Sequence, residues 1–138
     1  MVIEYSMSMQ QKITAQLIIE IAGFPKEHIE DVLDKLVENI KEQYEVLESN
    51  TEEVKQIKEL WSSFVDIKIR FKDLNQMTVF CFDYMPSSID ILDPLKFNFE
   101  SIEINGLFND LMGKIHHYDM LLKNFKAMNE MLKRGIKK

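Results

Sequence analysis

Residues 65–72 read VDIKIRFK, an alternation of apolar and charged side chains that decides the fold. Successive side chains of a β-strand point to opposite faces, so the apolar half of this stretch predicts a buried face and the charged half a face in solvent. A second alternation, KITAQLIIEI at residues 12–21, predicts another half-buried strand. These two segments are the most regular in the chain, and we expect them to form the centre of one antiparallel sheet.

Two helices are predicted around these strands. Apolar residues spaced by three and four predict a helix after Pro25, with its inner stripe at Ile29, Val32, Leu33, Leu36, Val37 and Ile40. Asp73 is a candidate N-cap, and Gln76 three residues later favours a capping box at the start of the second helix. The inner stripe of this helix is predicted at Leu74, Met77, Cys81 and Tyr84.

Shorter strands complete the pattern. One is predicted around Tyr44, Val46 and Leu47 and another from Ser88 to Pro94, whereas residues 48–60 give no assignable pattern. The order strand, helix, strand, strand, helix, strand predicts an α+β fold with a ferredoxin-like βαββαβ antiparallel sheet over residues 10–95. Residues 1–9 are predicted to be a flexible N-terminus. RNA-binding domains of this shape stack bases on aromatic residues of the central strands, and we predict none on the outer face here.

Residues 96–138 predict a long C-terminal coiled-coil helix, or arm, with a basic tail. Its apolar residues recur at alternating spacings of four and three: Ile104, Phe108, Leu111, Ile115, Tyr118, Leu122, Phe125, Leu132 and Ile136. Asn129 fills the remaining position of this seam. A seven-residue repeat keeps one stripe facing a partner helix, and a polar Asn at an a position fixes register and oligomeric state. We therefore expect a homo-oligomer, a dimer or higher, joined through these residues.

The residues that flank the seam allow two alternatives for what the arm packs against. Four apolar residues occupy e and g positions of the heptad, where a strict two-stranded coil carries charges: Leu107, Met112, Leu121 and Met128. This widening predicts that the arm either packs back on its own sheet or joins more than two helices.

The charge of the chain is unevenly distributed, although its formal net value is -6. Residues 26–60 hold 11 acids and 5 lysines, a balance of -6, whereas residues 114–138 hold 7 basic residues and 2 acids, a balance of +5. A nucleic-acid contact is conceivable at the tail, through Lys133, Arg134, Lys137 and Lys138. We favour the alternative, the usual enrichment of cations at a helix C-terminus, because the chain as a whole is acidic.

No residue pattern predicts an enzyme, a cofactor or a metal. His116 and His117 are adjacent and not spaced by four on one helix face, Cys81 is the only cysteine, and Ser87 lacks the flanking glycines of a nucleophile elbow. No signal peptide and no membrane-spanning run are evident, so we expect a cytoplasmic protein without a membrane partner.

Three segments resemble an uncharacterised family of small archaeal proteins. They are FPKEHIEDVLDKLVENI at residues 24–40, FCFDYMPSSIDILDP at residues 80–94 and LFNDLMGKIHHYD at residues 107–119. The likeness extends over most of residues 10–130 and implies a prokaryotic cytosol, with no catalytic or binding residues to transfer. The order of elements is also similar to ACT-type regulatory domains, which admit an amino acid at a glycine-rich turn after the first strand; this chain has a single Gly23 there.

Three functions follow from these observations. The first is a non-enzymatic interaction or assembly module that self-associates through its C-terminal helix and docks a larger protein partner. The second is an ACT-like regulatory domain that binds a small molecule at a dimer interface near Gly23 and Ser87. The third is a factor held on RNA or a ribonucleoprotein by the basic tail. We rank them in this order because the heptad is the most extended pattern in the chain.

Overall fold

The structure, a computed structural model, describes residues 11–136. The predicted flexible N-terminus at residues 1–9 and the tail residues Lys137 and Lys138 lie outside the described residues. Eight elements follow one another along the chain: β1 (Ile13–Gly23), α1 (Lys26–Gln43), β2 (Glu45–Thr51), β3 (Lys55–Ile57), β4 (Leu60–Phe71), α2 (Leu74–Tyr84), β5 (Ser88–Asp93) and α3 (Ser101–Ile136). The chain is therefore α+β, with a long C-terminal helix.

The described chain divides into two compact units, the first ending at Asn98 and the second beginning at Phe99. We call the first the body, which contains β1 to β5, α1 and α2, and the second the arm, which consists almost entirely of α3. None of the helices between residues 11 and 136 is both long and apolar enough to cross a membrane.

The body is built on an antiparallel sheet with the strand order β2-β4-β1-β5. Its two interior strands, β1 and β4, pair over their whole lengths, from Ile13 opposite Phe71 to Gly23 opposite Trp61. These are the strands whose alternation is most regular in the sequence, because each buries one face in the core and leaves the other at the surface. β5 lies beside β1, and β2 lies beside β4.

A fifth strand, β3, corrects the predicted four-stranded sheet. β3 pairs with the first residues of β4, with Lys55 opposite Ser62 and Ile57 opposite Leu60. Lys58 adopts a left-handed conformation with φ 59° in the tight turn that follows. All three residues of β3 are exposed, so both of its faces meet solvent and its sequence carries no apolar alternation. This is the physical reason why the strand at residues 55–57 could not be assigned, whereas residues 48–51 continue the predicted second strand as the end of β2.

One hydrophobic core joins the sheet to both helices of the body. β1 and β4 contribute every second side chain to it, namely Ile13, Ala15, Leu17, Ile19, Val65, Ile67, Ile69 and Phe71. Helix α1 contributes Leu33, Val37 and Ile40, while Ile29 is also buried, as its predicted stripe requires. Val32 and Leu36, at the margin of that stripe, are only half-buried.

Helix α2 begins and packs largely as predicted, with one residue added to its inner face. The backbone N–H of Gln76 donates to Asp73 Oδ1 at 2.8 Å, which confirms Asp73 as the N-cap. The fully buried residues are Met77 and Phe80, whereas Leu74, Cys81 and Tyr84 are half-buried. Phe80 is missing from the predicted stripe, although it lies three residues after Met77 and four before Tyr84 and so shares their face.

Phe80 lies at the centre of an aromatic cluster. Its ring centroid is 4.7 Å from that of Tyr84, 5.0 Å from that of Tyr44 and 5.4 Å from that of Phe71. Most of these contacts are edge-to-face, the arrangement that aromatic quadrupoles favour. The cluster fixes the end of α2 and the start of β2 to the end of β4.

We expect this cluster to make the body sensitive to alkaline pH. Burial raises the pKa of the Cys81 thiol, and burial followed by the charge of Asp83 raises the pKa of the Tyr44 hydroxyl above its ordinary value of 10.0. The unfolded chain then releases these protons at lower pH than the folded one. The contribution of these two protonated groups to the stability of the body is therefore complete below their ordinary pKa values, and it is lost as the pH rises through their raised pKa values in the folded protein.

Thermal unfolding followed by circular dichroism between pH 8 and pH 12 tests this expectation. Because Phe keeps the ring and removes the hydroxyl, the variant Tyr44→Phe should lose less stability above pH 10 than the unchanged protein. Equal losses in the two proteins would show that Tyr44 does not contribute to the alkaline transition.

Candidate interaction surface

The arm contains a single helix that is long for a chain of this size. α3 comprises 36 residues from Ser101 to Ile136, which corresponds to ~54 Å at 1.5 Å per residue. It begins three residues before Ile104, the first residue of the predicted seam, and continues through the whole heptad pattern. Gly106 and Gly113 lie within it, and an added Cβ at either position would meet no atom within 4 Å.

The predicted seam of the arm is largely exposed in the single chain. Phe108 is 58% exposed, Leu122 54% and Phe125 66%, and Ile115, Tyr118 and Leu132 are also exposed. Ile104 and Leu111, near the start of the helix, are half-buried. Asn129 is exposed within the same series. The structure therefore places the predicted oligomerisation residues on one continuous helix, and most of them are exposed to solvent.

The widened flank is exposed as well. Met112, Leu121 and Met128 all present more than two fifths of their surface, and Leu107 is half-buried. Together with the seam they form an apolar surface that extends over most of the helix. Soluble proteins seldom expose contiguous apolar surface of this extent unless a partner covers it.

One ion pair on the arm lies outside the seam. Lys123 Nζ and Asp119 Oδ2 are 2.9 Å apart across one helical turn, and both side chains are largely exposed. Lys133 and Arg134 of the basic tail are exposed in the last turn, where they oppose the negative end of the helix dipole. The remaining two tail lysines lie outside the described residues, so the nucleic-acid contact at the tail stays a prediction.

The outer face of the body's sheet is covered by paired polar side chains. Arg70 lies 3.7 Å from Glu45, Lys68 lies 3.6 Å from Glu48, and the Gln16 amide donates to Asp66. These pairs neutralise both basic side chains of β4 that point to this face. An anion or nucleic-acid backbone would have to displace a carboxylate to reach them.

One aromatic residue corrects the predicted composition of that face. β4 begins five residues earlier than its clearest alternation, so Phe64 lies opposite Glu20 on the outer face, where it is half-buried. The prediction of an outer face without aromatics therefore fails at this position. The sequence could have indicated this, because extending the alternation of residues 65–72 backwards by one residue places Phe64 on the outer face.

The structure does not bring together the two residues of the ACT-like alternative. Ser87 donates its backbone N–H to the Ile18 carbonyl at 2.7 Å and its hydroxyl to the same oxygen at 3.2 Å. Gly23 lies five residues further along β1 than Ile18, or ~16 Å at the rise of a strand. A Cβ at Gly23 would lie 3.0 Å from Ile29 Cδ1, so the glycine serves the close approach of α1 to the sheet.

The surface clefts of the body include two that are lined mainly by residues with charged or polar side chains. One, of about 500 Å³, lies between α1 and the segment after β2 and is lined by four acids, Glu30, Asp34, Glu52 and Glu53, together with Lys26. The other, of about 230 Å³, is lined mainly by Lys12, Gln43, Glu45, Arg70, Lys72 and Gln76. Across residues 11–136, no three His, Cys, Asp or Glu side chains are placed to hold a metal ion. Neither cleft presents a constellation suited to catalysis.

A further apolar surface of the body is absent from the sequence predictions. Ile89 and Ile91 of β5 are 42% and 37% exposed, Met85 is exposed at the end of α2, and Leu95 is 90% exposed just after β5. β5 pairs with β1 on one side. Its position at the edge of the sheet, rather than its sequence, leaves these residues in solvent.

Comparison with known proteins identifies a family for the chain. The model of the MJ0538 family matches residues 14–135, which include both the body and the arm. The searches of curated proteins and of solved structures give no significant match.

Proposed function

The chain belongs to the MJ0538 family, and we propose that it is a non-enzymatic assembly module whose arm joins copies of the same chain through the heptad seam. The observation that carries this proposal is the exposure of Phe108, Ile115, Leu122, Phe125 and Leu132 along one side of α3. The family match extends over both units, so the arm belongs to the region that defines the family and is not an unrelated extension.

The energetics favour a second copy as the occupant of the seam. Burying one fully exposed large apolar side chain contributes about 1.5–3 kcal/mol. The exposed half or more of five such residues in each of two helices supplies a gain of the same order as the cost of association. A seven-residue repeat is complementary to another helix with the same repeat, because its knobs and holes recur at the same spacing. A second copy of the arm provides that repeat by construction.

We further propose that the body is a ferredoxin-like module that the arm gathers into an oligomer. The strand order β2-β4-β1-β5 and the packing of α1 and α2 into one core support this assignment. β3 is an addition to that arrangement, paired with the first residues of β4. The polar outer face and polar clefts of the body suit a module that is displayed rather than one that carries out chemistry.

A matched pair of variants tests the role of the seam. Leu122 and Met120 are 54% and 52% exposed in the single chain, but Leu122 lies in the seam and Met120 at the outermost heptad position. Because association can bury only the exposed half of each Leu122, its replacement in two chains loses about 1.5–3 kcal/mol of apolar burial, and each Asp adds the cost of burying a charge. Leu122→Asp should therefore raise the dissociation constant by about 100-fold or more. Met120→Asp should leave it nearly unchanged.

Sedimentation velocity across micromolar concentrations measures both variants, with body unfolding by circular dichroism as the control for folding. The unchanged chain and Met120→Asp should sediment as oligomers and Leu122→Asp as a monomer. A monomeric unchanged chain at these concentrations would contradict the proposal, as would an equal response of the two variants.

A further inference from the structure

We infer that the arms of neighbouring copies align parallel and in register. This inference rests on the proposed function and specifies the geometry of the same seam. It follows from three properties of α3: the position of its single polar seam residue, the charges that flank the seam, and the length over which apolar residues continue.

Asn129 distinguishes parallel from antiparallel packing. In a parallel, in-register coil an a residue faces the same a residue of the partner, so Asn129 meets the partner's Asn129 and the two amides can hydrogen-bond. In an antiparallel coil an a residue faces a d residue. When the two seams overlap completely in that direction, Asn129 faces the partner's Leu111 and its amide is buried without a partner, which is costly.

The flanking charges favour the same alignment. In the parallel coil a g residue lies beside the e residue five positions later in the partner, which places Lys114 beside the partner's Asp119. Asp119 already pairs with Lys123 in its own chain, so the partner's lysine would join an existing carboxylate pair. Complete antiparallel overlap instead places Asp119 beside the partner's Asp119, a like-charge contact.

The apolar flank is also accounted for by the parallel coil. The same g-to-e rule places Leu107 beside the partner's Met112, so the two apolar flank residues at the start of the arm cover each other. Leu121 and Met128 then lie beside lysines, whose aliphatic stems can cover apolar surface. No flanking pair of the parallel coil brings like charges together.

One shifted antiparallel alignment avoids both the unpaired Asn129 amide and the contact between two Asp119 carboxylates, but it leaves part of the seam without a partner. If Asn129 faces the partner's Tyr118, Asp119 lies beside the partner's Lys126 and the clash disappears. The helices then overlap only from about residue 111, so Ile104 and Phe108 find no partner. Phe108 is 58% exposed in the single chain and would stay exposed. Only the parallel alignment both satisfies Asn129 and covers the whole seam.

Disulfide trapping distinguishes these alignments. In the full-length chain with Cys81→Ser, the only thiol is one introduced at a seam d position near the end of the arm, Leu132→Cys. Parallel, in-register arms bring two copies of this thiol within bonding distance, so mild oxidation by glutathione disulfide should give roughly tenfold more linked dimer than the outer-face control Met120→Cys. A second variant at the start of the seam, Phe108→Cys, should behave in the same way.

Mixtures of the two seam variants complete the experiment. Complete antiparallel overlap would link Leu132→Cys only to Phe108→Cys, and the shifted overlap would link neither variant to itself. Either result with sedimentation still showing an oligomer would overturn the parallel alignment and leave the proposed self-association standing. A monomer in sedimentation, with no linkage above the Met120→Cys control, would overturn both.

Discussion

Replacing Phe80 with Ala should lower the free energy of unfolding of the body by about 3–5 kcal/mol, the cost of removing a buried phenyl ring from a packed core. Phe80 is fully buried, and its ring contacts those of Tyr44, Phe71 and Tyr84. Its loss leaves a cavity between α2 and the end of β4 that neighbouring rings can fill only in part. Urea denaturation followed by fluorescence should show a lower midpoint with an unchanged slope.

The matched control for this variant is Phe24→Ala. Phe24 is 70% exposed just before α1, so removing the same atoms there should change the free energy of unfolding by no more than about 0.5 kcal/mol. Similar midpoints for the two variants would contradict the packing described for α2. Comparing the two variants distinguishes the effect of removing a buried ring from the effect of removing any aromatic ring.

Replacing Asn129 with Leu should change the assembly of the arm while raising its stability. A buried leucine stabilises the oligomer by about 1.5–3 kcal/mol per chain, whereas the Asn129 amide mainly selects the register of the helices. The oligomer of the variant should therefore melt at a higher temperature. Without the polar layer, alignments that the amide disfavours become accessible, and more than one oligomeric state should be populated. Light scattering coupled to size exclusion reports the states, and thermal unfolding at several concentrations reports the stability.

Asn124→Leu provides the control for this change. Asn124 is exposed on α3 but lies at a c position outside the seam. This variant makes the same chemical change and should keep the oligomeric state of the unchanged chain. If Asn129→Leu behaves like Asn124→Leu, with one unaltered state and no gain in stability, Asn129 does not lie between helices.

The interior of the body was predictable because burial there is one-sided. β1 and β4 bury alternate residues, and α1 buries a stripe, so each element carries the period of its own geometry. The N-cap Asp73 was predictable for a similar reason, since its bond to the Gln76 backbone is local. In such segments the sequence contains most of the information that fixes the element.

Other features depend on neighbours that a single segment cannot reveal. β3 is exposed on both faces, and its pairing with β4 comes from the tight turn at Lys58 and Glu59 rather than from apolar period. The exposure of Ile89 and Ile91 depends on the position of β5 at the sheet edge. Phe80 is a different case, because its spacing from Met77 and Tyr84 already placed it on the inner face of α2, where it contacts the rings of Phe71 and Tyr44.

The candidate interaction surface was also predictable only in part. The heptad from Ile104 to Leu132 is a local pattern and could be read directly, including the polar position at Asn129. The extent to which its residues meet water could not, because exposure depends on the whole chain. The structure supplies that exposure, and with it the surface on which the proposed assembly rests.

The pairing of β1 with β4 has a consequence for how the protein acquires its structure. Ile13 lies opposite Phe71, which is 58 positions later in the chain (71 − 13), so the central contact of the body has high contact order. Closing such a loop precedes any gain from the contact, and sheets of this kind form in milliseconds or more, whereas an isolated helix forms in roughly a microsecond. A complete chain that refolds from denaturant therefore regains its apolar helix before its sheet closes. During synthesis the order is reversed, because at about 5–20 residues per second β1 and β4 are made well before α3, which leaves the sheet time to close first.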